Sequence, residues 1–199
     1  MEKTFRDAMK HRRTYYSLTG RSPVEENKIE EIIKLAVTHL PSAFNSQSAR
    51  VVLLLNAHHK QLWSMVKESL RKIVPADNFA PTESKIDSFA AAYASILYFE
   101  DTAVVKSLQE QFPSYADNFP LWSQQTSAIH QFAIWTMLEE VGFGASIQHY
   151  NQLIENDVRK EWSIPENWQL IAQMPFGVPS AEPGEKSFQP LETRIKIFK

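Results

Sequence analysis

The chain of 199 residues contains no cysteine. Disulfides, thiolate nucleophiles, Cys-ligated zinc and iron–sulfur clusters are thereby excluded, and the absence fits a cytosolic protein. An excess of one charge sign is also missing: the formal net charge is -2, so there is no general electrostatic case for nucleic acid or an anionic membrane. No window approaches the ~18 apolar residues of a membrane span. The opening MEKTFRDAMKHRR is charged and lacks the apolar core of a signal peptide. Internal repeats, low-complexity tracts and Gly/Ser linkers are absent. These absences predict one soluble, cytoplasmic domain over 1–199, long enough to bury a real core.

The standard catalytic signatures are missing too. None of the six histidines, His11, His39, His58, His59, His130 and His149, sits in a metal-ligand spacing. There is no G-x-S-x-G elbow and no Walker A sequence. Gly142-Phe143-Gly144 lacks the third glycine of a dinucleotide fingerprint and follows a helix. The carboxylates read as scattered and solvent-facing, with no obvious general acid or base among them. If the protein is an enzyme, its reactive atoms belong to a bound cofactor that the chain orients and tunes.

What is present is a helix-rich α+β pattern. Ser22-Pro23-Val24-Glu25 matches a capping box, and Ile29, Ile32, Ile33, Ala36, Val37 and Leu40 continue one helical face as far as Pro41. Val51 to Leu55 and Ile96 to Phe99 read as buried strands. Helices are predicted over 58–73 and 83–92, and Asp101 is placed to cap another. From Pro120 to Val141 a long helix has apolar residues on several faces, the mark of a core or a subunit interface. Trp168, Leu170, Ala172, Met174 and Phe176 alternate along one strand facing one way, and 194–198, RIKIF, reads as a short terminal strand.

Three polar clusters remain. His11-Arg12-Arg13-Thr14-Tyr15-Tyr16 follows a short N-terminal helix; as a bland reading, paired arginines near a terminus are solvated surface. Gly142 to Gln148 follows the long helix, where Gly-Phe-Gly is most often a C-cap. Between them lies LPSAFNSQSAR, residues 40 to 50, ahead of an apolar run. It offers Ser42, Asn45, Ser46, Gln47, Ser48 and Arg50 and no glycine, which is unusual for a plain helix-to-strand connector. It could simply satisfy loop backbone.

Taken together, R-R-T-Y-Y, P-S-A-F-N-S-Q-S-A-R, Y-A-D-N-F-P-L-W-S at 115 to 123, G-F-G-A-S-I-Q-H-Y-N at 142 to 151 and the closing P-L-E-T-R resemble the FMN-dependent nitroreductase family, in its short fatty-acid-repression-mutant form. The resemblance implies a small central, mostly antiparallel sheet in an intertwined homodimer, with two flavin sites built from both subunits. It sends Arg12, Arg13 and Arg194 to the FMN phosphate, with Thr14 in support. Ser42, Ala43, Asn45 and Gln47 go to the ring and ribityl chain from the other subunit, and Gly144 and Ala145 lie against the flavin face. Lys85 would reach the ring edge. Small residues let backbone approach a flat ring; guanidinium forks match phosphate; amides match the alternating acceptors and donor of the pyrimidine edge.

The implied activity is reduction of nitroaromatics or quinones by NADH or NADPH through flavin N5, with ping-pong kinetics and a role in stress response. The rival is a flavin-binding redox or lipid-status regulator with little turnover. Two departures bear on this choice. Tyr16 stands where larger members carry Arg or Lys, and Gln47-Ser48-Ala49 replaces the frequent Q-P-W. Phe44, Tyr93, Trp122 and Tyr150 could stack on an acceptor, with core packing as the bland alternative. Gln124 and Ser127 are further candidates near the predicted interface.

Overall fold

The computed structural model describes residues 3–199. Its elements in order are α1 Phe5–His11, β1 Leu18–Thr19, α2 Glu26–His39, β2 Ala49–Leu55, α3 Asn56–Arg71, α4 Phe79–Ala90, β3 Ala94–Asp101, α5 Thr102–Gln111, α6 Phe119–Glu140, β4 Gly144–Ala145, α7 Asn151–Glu161 and β5 Trp168–Pro179. The sheet runs β1-β5-β3-β2 with β4 also on β5, and each of these pairs is antiparallel. The predicted helix-rich α+β fold with a small antiparallel sheet is what the chain adopts. No helix among the described residues is long and apolar enough to cross a membrane.

Every residue of β3 is buried because helices cover both of its faces. Ile96 and Tyr98 face α2 and α6, meeting Ile29, Ile32, Ile134 and Leu138. Leu97 and Phe99 face α3, α4 and α7, meeting Trp63, Val66, Phe89 and Val158. The long α6 is thus walled in along much of its length, as its many-sided apolar pattern predicts.

Four readings need correction. The β5 residues do not share one face. Tyr98 pairs with Ala172 but Phe99 pairs with Leu170, so Ile171 is an extra residue. This bulge reverses the phase: Ala172, Met174 and Phe176 enter the α2/α6 core, while Leu170 and Trp168 join the other. The α2 helix starts at Glu26, because the Ser22 hydroxyl donates to Val24 O (2.6 Å) and accepts from Val24 N (3.3 Å), closing its own turn. The α4 helix begins at Phe79, which puts Pro81 in the first turn, where an N–H has no intrahelical partner anyway. Residues 194–198 form no strand. Beyond Ser180, whose N–H still bonds Ser17 O at 2.9 Å, the tail leaves the sheet and exposes Ile195, Ile197 and Phe198.

Candidate functional site

The glycine-free connector is strained. Pro41 follows the end of α2, a 3-10 turn spans Ala43–Asn45, and Phe44, Asn45 and Gln47 have φ of 55, 51 and 49°. Asparagine tolerates this left-handed region; phenylalanine and glutamine adopt it rarely. Three local devices hold it. Ser42 accepts from the Asn45 N–H at its carbonyl (3.0 Å) and from the Gln47 N–H at its hydroxyl (3.0 Å). The Phe44 ring stacks on Trp122 (5.9 Å, 19°) and meets Phe112, Tyr115 and Phe119 at 4.9, 5.7 and 5.2 Å. Arg50 closes the far end, donating to Gln47 O at 2.6 Å. The side chains of Asn45 and Gln47 are left exposed. Among the described residues their one bond is a long contact from Gln47 Nε2 to Asn45 O, 3.5 Å. A cleft of about 150 Å³ opens beside them, lined by Pro41, Ser42, Ala43, Trp122, Thr126 and Ile129.

The arginine segment lies at the other end of α6. The Arg12 guanidinium stacks 4.1 Å over Trp135, and burial lowers its pKa from the ordinary value, against an opposing pull from Glu139. Among the described residues its Nε is buried without a partner, as is Trp135 Nε1. Arg13 donates to Gly184 O at 2.6 Å, tethering the start of the tail. Thr14 bridges Ala145, and the Tyr15 N–H donates to Ala145 O at 3.0 Å. So Arg12, Arg13 and Thr14 are brought together with Gly144 and Ala145.

The reason for glycine at 144 is intramolecular. A Cβ there would stand 2.8 Å from the Tyr15 ring and 2.7 Å from Pro179. Tyr16 is exposed, its ring 6.2 Å from Phe89. Lys85 stands exposed on α4 one turn before Phe89, hence on the same flank of the helix. Arg194 is exposed in the tail, and its N–H bonds Leu191 O at 2.9 Å. The amide half and the arginine half are separate in one protomer: Trp122 and Trp135 lie about 20 Å apart along α6 at 1.5 Å per residue.

The reading of all carboxylates as solvent-facing fails at three positions, Glu139, Glu100 and Asp101. Glu139 is buried, accepting from Lys3 Nζ (2.6 Å) and His11 Nδ1 (2.8 Å). Glu100 is 1 % exposed at the end of β3, where burial raises its pKa to about 7; the hydroxyl of Ser48, which donates to Oε2 at 2.7 Å, and the charge of Arg50 only partly oppose this. Its Oε1 has no partner among the described residues. The neighbouring Asp101 caps α5 as predicted, accepting from the Ala103 and Val104 N–H groups at 3.1 and 3.5 Å, and also pairs with Arg50 at 2.9 Å. The signal was available: two acids terminate an otherwise apolar strand, inside the point where the chain reaches the surface.

Of the candidate aromatics, Phe44 and Trp122 belong to the aromatic group just described, whereas Tyr93 and Tyr150 pack at the margins of the two cores. Ser127 is buried and accepts from Gln131 Nε2 at 3.1 Å.

A family model described as the nitroreductase family matches residues 9–178. The nitroreductase FRM2 of Saccharomyces cerevisiae is 33% identical over 184 residues, covering 92% of this chain and 91% of that protein. Among solved structures, nitroreductase CinD from Lactococcus lactis in complex with chloramphenicol superimposes with a TM-score of 0.89 at 45% identity, covering 98% of this chain and 100% of that one. Its complex with 4-nitrophenol gives the same values.

Proposed function

The chain belongs to the nitroreductase family, and on that footing we propose that it is an FMN-dependent oxidoreductase drawing hydride from NADH or NADPH to reduce nitroaromatics or quinones. One observation carries the reading. Three strained positions without glycine present two exposed amides that make almost no bond within the protomer. Glycine at 45 and 47 would relieve the backbone, so the side chains themselves are what the strain supports. Asn45 and Gln47 offer both donors and acceptors to a pyrimidine edge.

The arginine half fits a phosphate. The buried, unpartnered Nε of Arg12 lacks the oxyanion that a phosphate would supply. Arg13 and Thr14 flank it, and Arg194 would join from the tail. Bound there, FMN supplies hydride acceptance and delivery at N5, so donor and acceptor use one site in turn and ping-pong kinetics follow. The chain needs no nucleophile of its own. Its residues would anchor the phosphate and hydrogen-bond the ring edge.

Two protomers complete the site in this reading. Two α6 helices packed antiparallel about a two-fold axis would set the amide loop of one protomer beside the arginine segment of its partner. Leu121, Ile129 and Phe132 on α6, with Phe5 and Met9 on α1, supply exposed apolar surface for that contact, and the tail carries Ile195, Ile197 and Phe198 to cover the partner. Chloramphenicol and 4-nitrophenol, each bound by CinD, are the acceptors to try first.

The test is a visible spectrum of the purified protein, then addition of NADH followed by 4-nitrophenol. A yellow protein that bleaches and recovers supports the enzyme. A colourless protein that takes up no added FMN refutes it. One observation favours the regulator: the exposed phenol of Tyr16 carries no cation to stabilise a reduced ring. A yellow protein that neither NADH nor NADPH bleaches would decide for it.

A further inference from the structure

We propose that Arg50 is a positioning residue that sets the Gln47 amide, an inference that rests on the flavin reading above. Its guanidinium joins two parts of the chain that are distant in sequence. Nη1 donates to Gln47 O at 2.6 Å and Ala49 O at 3.1 Å, while Nη2 donates to Asp101 Oδ2 at 2.9 Å. Asp101 is itself immobilised: its Oδ1 accepts from Asn167 Nδ2 (2.6 Å) and from two N–H groups of α5. The Asp101 N–H donates to Ser48 O at 2.9 Å, and the adjacent Glu100 receives the Ser48 hydroxyl at 2.7 Å. Residues 47 and 48 are thus fastened to the β3–α5 junction through both carbonyls and a hydroxyl.

The strain makes this fastening necessary. A glutamine at φ 49° relaxes toward the extended or right-handed helical region unless its neighbours forbid it. The bond at Gln47 O fixes the peptide plane that follows the strained residue, and Ser42 Oγ fixes the N–H that precedes it. The side-chain amide is therefore aimed by backbone bonds made on the far side of the loop, and Arg50 itself need not touch the ring. Lysine cannot reproduce this, because a planar fork serves three acceptors in fixed directions where an ammonium offers one mobile point charge.

The experiment compares wild type with Arg50→Lys and Arg50→Gln, as full chains. Flavin content, melting temperature, the visible circular dichroism of bound flavin, kcat and KM for 4-nitrophenol, and hydrogen exchange at the Gln47 N–H are measured. In Arg50→Lys, FMN remains bound, because the phosphate grip lies elsewhere, and the melting temperature stays near wild type. The visible dichroism changes, kcat falls about tenfold with KM held within about twofold, and Gln47 exchanges about tenfold faster, the factor that one lost charge-assisted bond would give. Arg50→Gln shows the same with larger effect; should it fail to fold, Arg50→Lys carries the test alone. Wild-type dichroism, kcat and exchange in a flavin-loaded Arg50→Lys protein would overturn the proposal. If wild type itself takes up no FMN, the functional reading falls, and the Gln47 exchange rate still decides the positioning claim: about tenfold acceleration sustains it and unchanged protection ends it.

Discussion

Replacing Glu100 with glutamine should reshape how stability depends on pH. In the folded chain this carboxyl titrates near 7 instead of 4.5 because burial disfavours its charge. The native state therefore holds a proton that the unfolded state releases, and stability falls as pH rises from 4.5 to 7. A shift of this size corresponds to about 3 kcal/mol, fully lost above pH 7. His59 works in the opposite sense. Buried, with Nδ1 on Ser95 Oγ (2.9 Å) and Nε2 on Ala90 O (3.2 Å), it is pushed down to about 4 from 6.5. Its protonation destabilises the fold below that window, so its contribution rises from pH 4 to 6.5, again by about 3 kcal/mol.

Between pH 4.5 and 6.5 the two slopes nearly cancel in the wild type. Glu100→Gln removes one of them. Urea unfolding at fixed protein concentration, in steps from pH 4.5 to 8.5, measures the difference between variant and wild type, from which the titrations of all unaltered groups drop out. That difference should grow by about 3 kcal/mol in favour of the variant across the series, whatever constant offset the amide introduces. A difference independent of pH would mean that Glu100 titrates as a solvated carboxylate, and the burial argument for it would be wrong.

Three further outcomes follow from the same geometry. Gly177→Ala drives a Cβ into the carbonyl of Thr19 and to 3.0 Å from the Tyr93 N–H, backbone atoms that cannot swing aside; a loss of about 1–3 kcal/mol or more, with β1 released from β5, is expected in chemical denaturation. Gln47→Gly relieves a strained position, so stability should stay within about 1 kcal/mol of wild type or rise, while flavin retention after gel filtration drops; equal retention would remove the side chain from the site. Arg13→Ala and Arg194→Ala should each lower FMN retention more than they lower the melting temperature, and unchanged flavin content in both would count heavily against the phosphate assignment.

The local signals read well where one face or one cap decides the element. The apolar run Val51 to Leu55 lies within β2 and Ile96 to Phe99 within β3, Asp101 caps α5, and the many-sided Phe119–Glu140 helix is buried over its last two turns while Leu121, Ile129 and Phe132 stay exposed. They mislead where a distant partner decides. The bulge at Ile171 comes from pairing with β3 and leaves no mark on the alternation of β5. Glu100 is marked in the sequence only by closing an apolar strand, and its burial is decided by what packs over the end of β3. Residues 194–198 have strand alternation but pair with neither edge of the sheet, because the chain has already left it after Ser180.

The amino-acid order alone determined which segments coil or extend and which clusters carry hydrogen-bonding groups, since periodicity and capping act over a few residues. It also flagged 40–50 as a connector with too many side-chain donors and acceptors and no glycine. Only the tertiary structure decided what that absence means. Three left-handed residues are held there by rings from α6 and the preceding segment, by Ser42 and by an arginine tied to β3. The physical reason is one of range: backbone strain is fixed by contacts across tens of residues, which no local pattern encodes.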